Sequence, residues 1–388
     1  MNLCSKDHCS ACGACVSICP KNAIKYEKDE YGYEYPVIDS SLCIDCGLCV
    51  KSCHILNQVE RNTPKKAYAA WSNDPVDRAT STSGGVASVF YQKMLDNNGV
   101  CYGAAYDENL NVVIEGYSDN RVTEFKNSKY VHSNMTNAYA KIKENLVKDR
   151  QVIFIGLPCQ VAALRTYLKK EYENLVLVDI ICHGTPPQDY LKRHIDTLEQ
   201  KYRKKADIVR FRNDNEFYFT LSRKGENKPF VSVHKDIDTY LLSFFESLTY
   251  YEACYNCKYA CGERVSDITI GDFWGLGLEI PFNHPYTGAI SLVLVNNKKG
   301  LDFFEGVKDK VFFEERPVSE AIKGNAQLNT PSKRNRHRDD FLKLVKNNSF
   351  DSSVKSIYSE HIKKHKPIVM KNHIKRKIRI FAKKILGR

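Results

Sequence analysis

Two cysteine runs of one spacing stand near the start of the sequence. They are Cys9, Cys12, Cys15 and Cys19, followed by Pro20, and Cys43, Cys46, Cys49 and Cys53, followed by His54. Three closely spaced thiolates on a tight loop suit three irons of a cubane, and a fourth, one turn further on, points to a neighbouring cluster. By that crossing rule Cys9, Cys12, Cys15 and Cys53 hold one 4Fe-4S cluster, and Cys43, Cys46, Cys49 and Cys19 hold the other. The alternative is a zinc ribbon, which wants paired C-x-x-C knuckles with a long loop between them; the compact runs fit that poorly. His54, where the first copy has proline, affects the turn after the ligand more than ligation. Cys4 lies outside the pattern and reads as a bystander thiol.

A third group of cysteines follows much later, in CYNCKYACGERVSDITIGDFWG (254–275). Its thiols are one short of a closed site. Two further cysteines stand where apolar strand patterns finish: Cys159 in GLPCQ, after VIFIG, and Cys182 in CHG, at the end of LVLVDIIC. Open parallel sheets bind ligands beyond the carboxyl ends of their strands, so these two thiols can meet the loop that carries Cys254 and Cys257. Cys261 is a rival ligand, and a buried structural thiol is the plain alternative for either strand-end cysteine. Cys101, inside a strand pattern, keeps that plain reading.

The first 55 or so residues resemble bacterial two-cluster ferredoxins. Behind them GLPCQ, CHGTPP, CYNCKYACGERVSDITIGDFWG and TGAISLVLVNNKKG occur in an order that resembles the family of coenzyme F-420 hydrogenase/dehydrogenase beta subunits, over about residues 1–345. The resemblance implies an iron-sulfur flavoprotein with FAD in an α/β domain beside a 4Fe-4S cluster. Carried over position by position, it puts Cys159, Cys182, Cys254 and Cys257 around a third cluster.

STSGGVASVF places Ser83, Gly84 and Gly85 directly before a helical run. Free backbone N–H groups and the positive end of a helix dipole would stabilise a flavin diphosphate there; a Ser/Thr cap with a glycine hinge is the alternative. SKYVHSN (128–134) can line an isoalloxazine ring, with Lys129 stabilising negative charge on the reduced flavin and Tyr130 beside it. The alternative is a solvated loop. His183 and Asp272 are candidates for proton transfer in the same crevice, or for hydrogen-bonding partners of the metal loops.

The elements that must position these groups follow from the hydrophobic pattern. Strands are expected at 67–71, 100–106, 112–117, 152–156, 175–182 and 291–296, with helices at 86–95, 138–147, 160–170 and 188–202. The fold class is therefore α+β or α/β: a ferredoxin-like two-cluster domain over 1–60, an α/β flavin and iron-sulfur domain over 66–317, and a helical extension over 318–388. The two most apolar strands, VIFIG and LVLVDII, should be buried on both faces.

Of the net charge of +12, the stretch from His361 to Arg388 carries eleven Lys and Arg with no Asp or Glu. Met370, Ile374, Ile378, Phe381 and Ile385 recur at helical spacing within it, so a helix over about 371–386 would present a basic amphipathic face to anionic lipid, to an acidic partner or to its own domain. Nucleic acid is disfavoured for want of aromatic interleaving. With no long apolar run and no apolar leader, a cytoplasmic location is expected, possible membrane contact being peripheral and through the tail. The leading reading is an oxidoreductase that passes electrons between a ferredoxin-type donor, 4Fe-4S clusters, FAD and a small-molecule two-electron acceptor. The alternatives are an electron-transfer subunit that wires a partner enzyme to a redox carrier, and a zinc-stabilised binding module.

Overall fold

The computed structural model describes residues 2–212 and 216–385. Of the tail stripe, Met370 is exposed, whereas the side chains of Ile374, Ile378, Phe381 and Ile385 lie outside the described residues. Contacts divide the chain into two compact units, one formed by 1–188 with 250–333, the other by 189–249 with 334–388. These lines differ from the sequence-based boundaries: the ferredoxin-like segment belongs to the first unit, and the extension shares its unit with the insertion 189–249.

Strands are numbered in chain order. The ferredoxin-like segment contributes an antiparallel hairpin, β1 (Ile24–Lys28) with β2 (Glu34–Ile38), and two short helices, Ala14–Ile18 and Leu48–Lys51. The rest of the first unit is built on an eight-stranded sheet of β3 (Lys66–Ser72), β4 (Val100–Tyr106), β5 (Val112–Tyr117), β6 (Val152–Gly156), β7 (Leu175–Ile180), β11 (Ile268–Asp272), β12 (Ser291–Val295) and β13 (Val311–Arg316). Their order is β13-β3-β12-β11-β7-β6-β4-β5. The four inner strands β11, β7, β6 and β4 run parallel, and the pairs towards both edges are antiparallel.

β6 is buried at every residue and β7 at all but its last, which explains their uninterrupted apolar sequences. Helices Ala138–Val147 and Pro158–Leu168 cover one face, where Phe154, Leu177, Tyr139 and Leu164 share a core with Ala14 of the ferredoxin-like segment. Helices Val86–Asp96 and Lys298–Glu305 cover the other, through Phe90, Met94 and Phe304.

The second unit contains a three-stranded antiparallel sheet, β8 (Ile208–Arg210), β9 (Tyr218–Ser222) and β10 (Val231–His234), in the order β10-β9-β8. Helices Gln188–Tyr202, Thr239–Phe245, Arg338–Val345 and Phe350–Ile385 complete it. His194 ties three of them together. Its Nδ1 lies 2.7 Å from Asp351 Oδ1 and its Nε2 3.1 Å from Asp238 Oδ2. Asp238 also caps the helix Thr239–Phe245 by accepting from Leu241 N at 2.8 Å.

Burial opposes the charge on His194, but Asp238 and then Asp351 outweigh it and hold the imidazolium up to about 10, against an ordinary 6.5. A raised folded-state value stabilises fully below about pH 6.5, and the contribution is lost as pH rises towards 10. Denaturant melts of the full chain should therefore show falling stability across that window. His194→Leu should abolish the slope and cost about 3–5 kcal/mol, because two carboxylates are left buried and unpaired. A wild-type profile flat from pH 6.5 to 10 would contradict this assignment.

Candidate iron-sulfur and flavin sites

Each short helix of the ferredoxin-like segment begins at a glycine in the left-handed conformation, Gly13 (φ 82°) and Gly47 (φ 72°). Ala11 and Asp45 add left-handed residues at matching places, so the duplication extends to the backbone. At Gly13 a side chain is excluded twice over, since a Cβ would also lie 2.6 Å from Thr136 Oγ1. These turns curl each cysteine run around a cavity. Cys9, Cys12, Cys15 and Cys53 line the first, and Cys19, Cys43, Cys46 and Cys49 the second. The fourth cysteine of each run thus stands with the three of the other.

Cys4 does not stand apart. It lines the first cavity, within hydrogen-bonding reach of Cys53 and Cys9. Its distance in sequence from the repeated motif gave no signal of this.

The third group forms at the inner parallel strands. Cys159 sits in the first turn of the helix Pro158–Leu168, directly after β6. Pro158 at the first helical position and the Gln160 side chain, which accepts from Leu157 N at 3.0 Å, fix that turn. Cys182 lies two residues past β7, with a backbone N–H of Gly184 turned to its sulfur. The segment bearing Cys254 and Cys257 starts beside it, for Tyr251 N donates to Thr185 O at 3.0 Å. Cys159 and Cys182 both couple electrostatically to Cys254 and Cys257, and Cys159 also to Cys12 of the first cavity.

Cys12, Cys159 and Cys257 pack against one hydrophobic core. Burial drives the thiols of Cys159, Cys182 and Cys257 upwards. Bound cations reverse that preference by drawing off the protons. Backbone N–H groups of Tyr259 and Ala260 face the Cys257 sulfur, and Arg264 lowers both Cys182 and Cys257. Four soft sulfur donors with N–H groups and a cation around them fit an iron-sulfur cluster. Among the described residues no three His, Cys, Asp or Glu side chains are placed to hold a metal ion; a cubane distributes its thiolates around a cluster of irons.

Cys261, the rival, is also felt by Cys257, but its own bonds lead to other groups. Its sulfur accepts from Arg61 Nη1 at 3.4 Å, and its thiol donates to Glu263 O at 3.3 Å.

The cysteine loop is locked to the sheet by a residue that the sequence did not single out. Arg264, 2% exposed, donates to Asp179 Oδ1 of β7 at 2.9 Å, to Thr269 Oγ1 at 3.1 Å, and to the carbonyls of Tyr259 and Cys261 at 3.0 and 3.1 Å. A single arginine among many charged residues gives no sequence signal of burial.

The expected flavin residues fall in two neighbouring segments. The loop before the helix Val86–Asp96 is stitched to the sheet: Gly84 N donates to Ser291 Oγ at 2.9 Å, and Ser291 Oγ donates to Ser83 Oγ at 3.1 Å. A Cβ on Gly84 would lie 2.4 Å from Ala70 O, so close packing alone requires glycine there. Gly85 (φ 86°) is the N-cap and brings no side-chain cap, which leaves the helix start suited to an anion. Thr82 and Ser128 join the two segments through hydroxyls 3.0 Å apart. Tyr130 is half-buried on the second.

Lys129 departs from its expected role. Its amine donates to the carbonyls of Glu124, Phe125, Lys126 and Asn127 at 3.1–3.4 Å and lies 5.4 Å from the centre of the Tyr106 ring. Burial lowers it to about 7, against the pull of Glu124. The amine closes the end of a 3-10 turn, a task that no sequence pattern distinguishes from facing a ring. His183 is exposed next to Cys182 and Asp272 ends β11; Asp272 counteracts the lowering that partial burial imposes on the His183 imidazole.

Residues 149–321 match the family described as the C terminus of the beta subunit of coenzyme F420 hydrogenase/dehydrogenase, and residues 8–55 match the 4Fe-4S dicluster domain. The matched segment 149–321 is similar to that family of beta subunits. It contains Cys159, Cys182, Cys254 and Cys257, while the dicluster domain in front of it contains both cysteine runs.

A relative from Methanosarcina mazei, the F subunit of F(420)H(2) dehydrogenase, is 22% identical over 90% of this chain and 96% of its own length. An uncharacterized protein of Methanocaldococcus jannaschii is 24% identical over 77% of this chain and 86% of its own. A chain of the F420-reducing [NiFe] hydrogenase complex from Methanosarcina barkeri aligns at 15% identity and a TM-score of 0.45, over 77% of this chain and 92% of that one. The chain thus joins a dicluster domain to a segment of the beta-subunit type, related to part of an oxidoreductase.

Proposed function

We propose that this protein is an iron-sulfur flavoprotein oxidoreductase with three 4Fe-4S centres and one FAD. The observation that carries the reading is that Cys159 and Cys257 line one cavity with Ser10 and His54 of the ferredoxin-like segment, while the Cys159 and Cys182 thiols both feel the charge of Cys254 and Cys257. Cys9, Cys12, Cys15 and Cys53 would hold the first centre, Cys19, Cys43, Cys46 and Cys49 the second, and the four dispersed thiols the third. Such centres supply single-electron steps, and a flavin supplies storage of two electrons for an acceptor that takes them in pairs.

The chain's own part is positioning. Arg264 and the helix start at Cys159 favour thiolate over thiol on one side of the sheet. The loop of Ser83, Gly84 and Gly85 offers a helix start to the flavin diphosphate, with Tyr130 on the adjoining segment. Lys129 holds that segment's backbone, and His183 with Asp272 would hold or move a proton near the acceptor. A soluble ferredoxin is the donor that best suits an exposed two-cluster domain, and a deazaflavin-like carrier is the first acceptor to try, because a relative spanning nearly the whole chain is named as part of an F(420)H(2) dehydrogenase. No helix among the described residues is long and apolar enough to cross a membrane. A cytoplasmic site of action, with the basic tail resting on anionic lipid or an acidic partner, completes the proposal.

The same relative, itself one subunit of several, supports a second reading in which the chain wires a partner enzyme to a redox carrier. The test is to supply the FAD-loaded full chain with reduced ferredoxin and measure acceptor reduction. Turnover of deazaflavin or another small acceptor by the isolated chain is the expected result. Reduction of the bound centres with no turnover until a partner protein is added would transfer the assignment to the second reading.

A further inference from the structure

His54 occupies the place where the first cysteine run has Pro20, and its side chain is 1% exposed. One ring nitrogen, Nε2, lies 2.8 Å from Ser10 Oγ, between Cys9 and Cys12 in sequence. The other, Nδ1, lies 2.7 Å from the hydroxyl of Tyr259, between Cys257 and Cys261. The Tyr259 ring is 4% exposed and stands 5.5 Å from the imidazole, centre to centre. Lys258 Nζ closes the arrangement by donating to His54 O. A cavity between the two thiol groups is lined by Ser10, His54, Cys159, Cys257, Lys258 and Tyr259 among others. Proline could make neither side-chain bond.

We infer that the Ser10, His54 and Tyr259 chain is the built connection between the first ferredoxin centre and the third thiol group, with His54 as the residue that positions and couples them. The inference rests on the proposed third centre. Its physical basis is twofold: hydrogen bonds running between two metal-binding loops fix their separation, and they replace an interloop gap with a contiguous bonded path. The transfer it serves is balanced within the protein. One electron leaving a cluster held by Cys9, Cys12, Cys15 and Cys53 would be gained by one held by Cys159, Cys182, Cys254 and Cys257, with no bond made or broken.

The test uses the full chain purified anaerobically, with iron counted before kinetics. After flash photoreduction by a soluble one-electron donor, freeze-quench EPR follows arrival of the electron at the third centre. His54→Leu is expected to keep about twelve irons yet slow that arrival about tenfold or more, the scale of lost partners around metal ligands. His54→Gln, whose amide can reach both hydroxyls, should keep most of the rate. Tyr259→Phe, which deletes one hydroxyl from an intact ring, should fall between them, and it carries the test should His54→Leu lose iron. Wild-type rates in His54→Leu at full iron, or in Tyr259→Phe where that variant carries the test, would overturn the inference. About eight irons in the wild type would instead remove the third centre and the inference together, a result distinguishable from an unchanged rate.

Discussion

Cys182→Ser is expected to lower bound iron from about twelve to about eight per chain, leaving the two ferredoxin-type EPR signals in place. Cys182 stands just past β7, where the chain turns towards Thr185 and the incoming Tyr251, so no neighbouring residue can substitute without moving the strand end. A serine hydroxyl is a harder and far less acidic donor than a thiol, and iron-sulfur centres select soft thiolate. Cys261 is the only nearby thiol of the loop outside the group of four, and it is turned to Arg61 and Glu263 O. Retention of all the iron by Cys182→Ser would show that Cys261 swings in and that the assignment of the four thiols is wrong.

Arg264→Leu should be the most damaging substitution away from the cysteines. It strips a buried carboxylate, Asp179, of its cation and leaves the carbonyls of Tyr259 and Cys261 without the donor they share. Breaking one side of such a pair costs about 3–5 kcal/mol, and the released loop carries Cys254 and Cys257. The expected outcome is a lower melting temperature together with loss of about four irons. Arg264→Lys should recover little, since an ammonium cannot serve Asp179, Thr269 and two carbonyls at once.

The double substitution Arg264→Leu with Asp179→Leu separates the two effects. Apolar replacement of both partners can restore stability, but the loop stays unpinned and iron should remain low. Restored stability with full iron would show that the pair contributes to folding alone.

The legible part of this molecule was the part encoded in spacing and period. The two cysteine runs specify their own local turns, so the crossed lining of both cavities followed from position in sequence alone. The apolar runs 152–156 and 175–180 announced strands buried on both faces, and the parallel pairing of those strands gave the reason to look at their carboxyl ends. What stayed hidden depends on tertiary neighbours. Arg264 looks like any surface arginine until Asp179 is brought beneath it. His54 looked like a tolerated departure from proline until Tyr259, 205 residues away, met its ring. Cys4 lacked a motif, and Lys129 had the right type for a flavin contact but is held by carbonyls of its own loop. The two-unit division was equally invisible, because 189–249 and 334–388 are joined by contacts such as His194 with Asp351 rather than by sequence.

The account stands on the claim that four thiols from three separate segments complete a third centre. Iron and acid-labile sulfide measured per chain, on full-length protein isolated without oxygen, test it most directly. About twelve of each is the predicted value, and about eight, the content of the two ferredoxin-type centres alone, would contradict it.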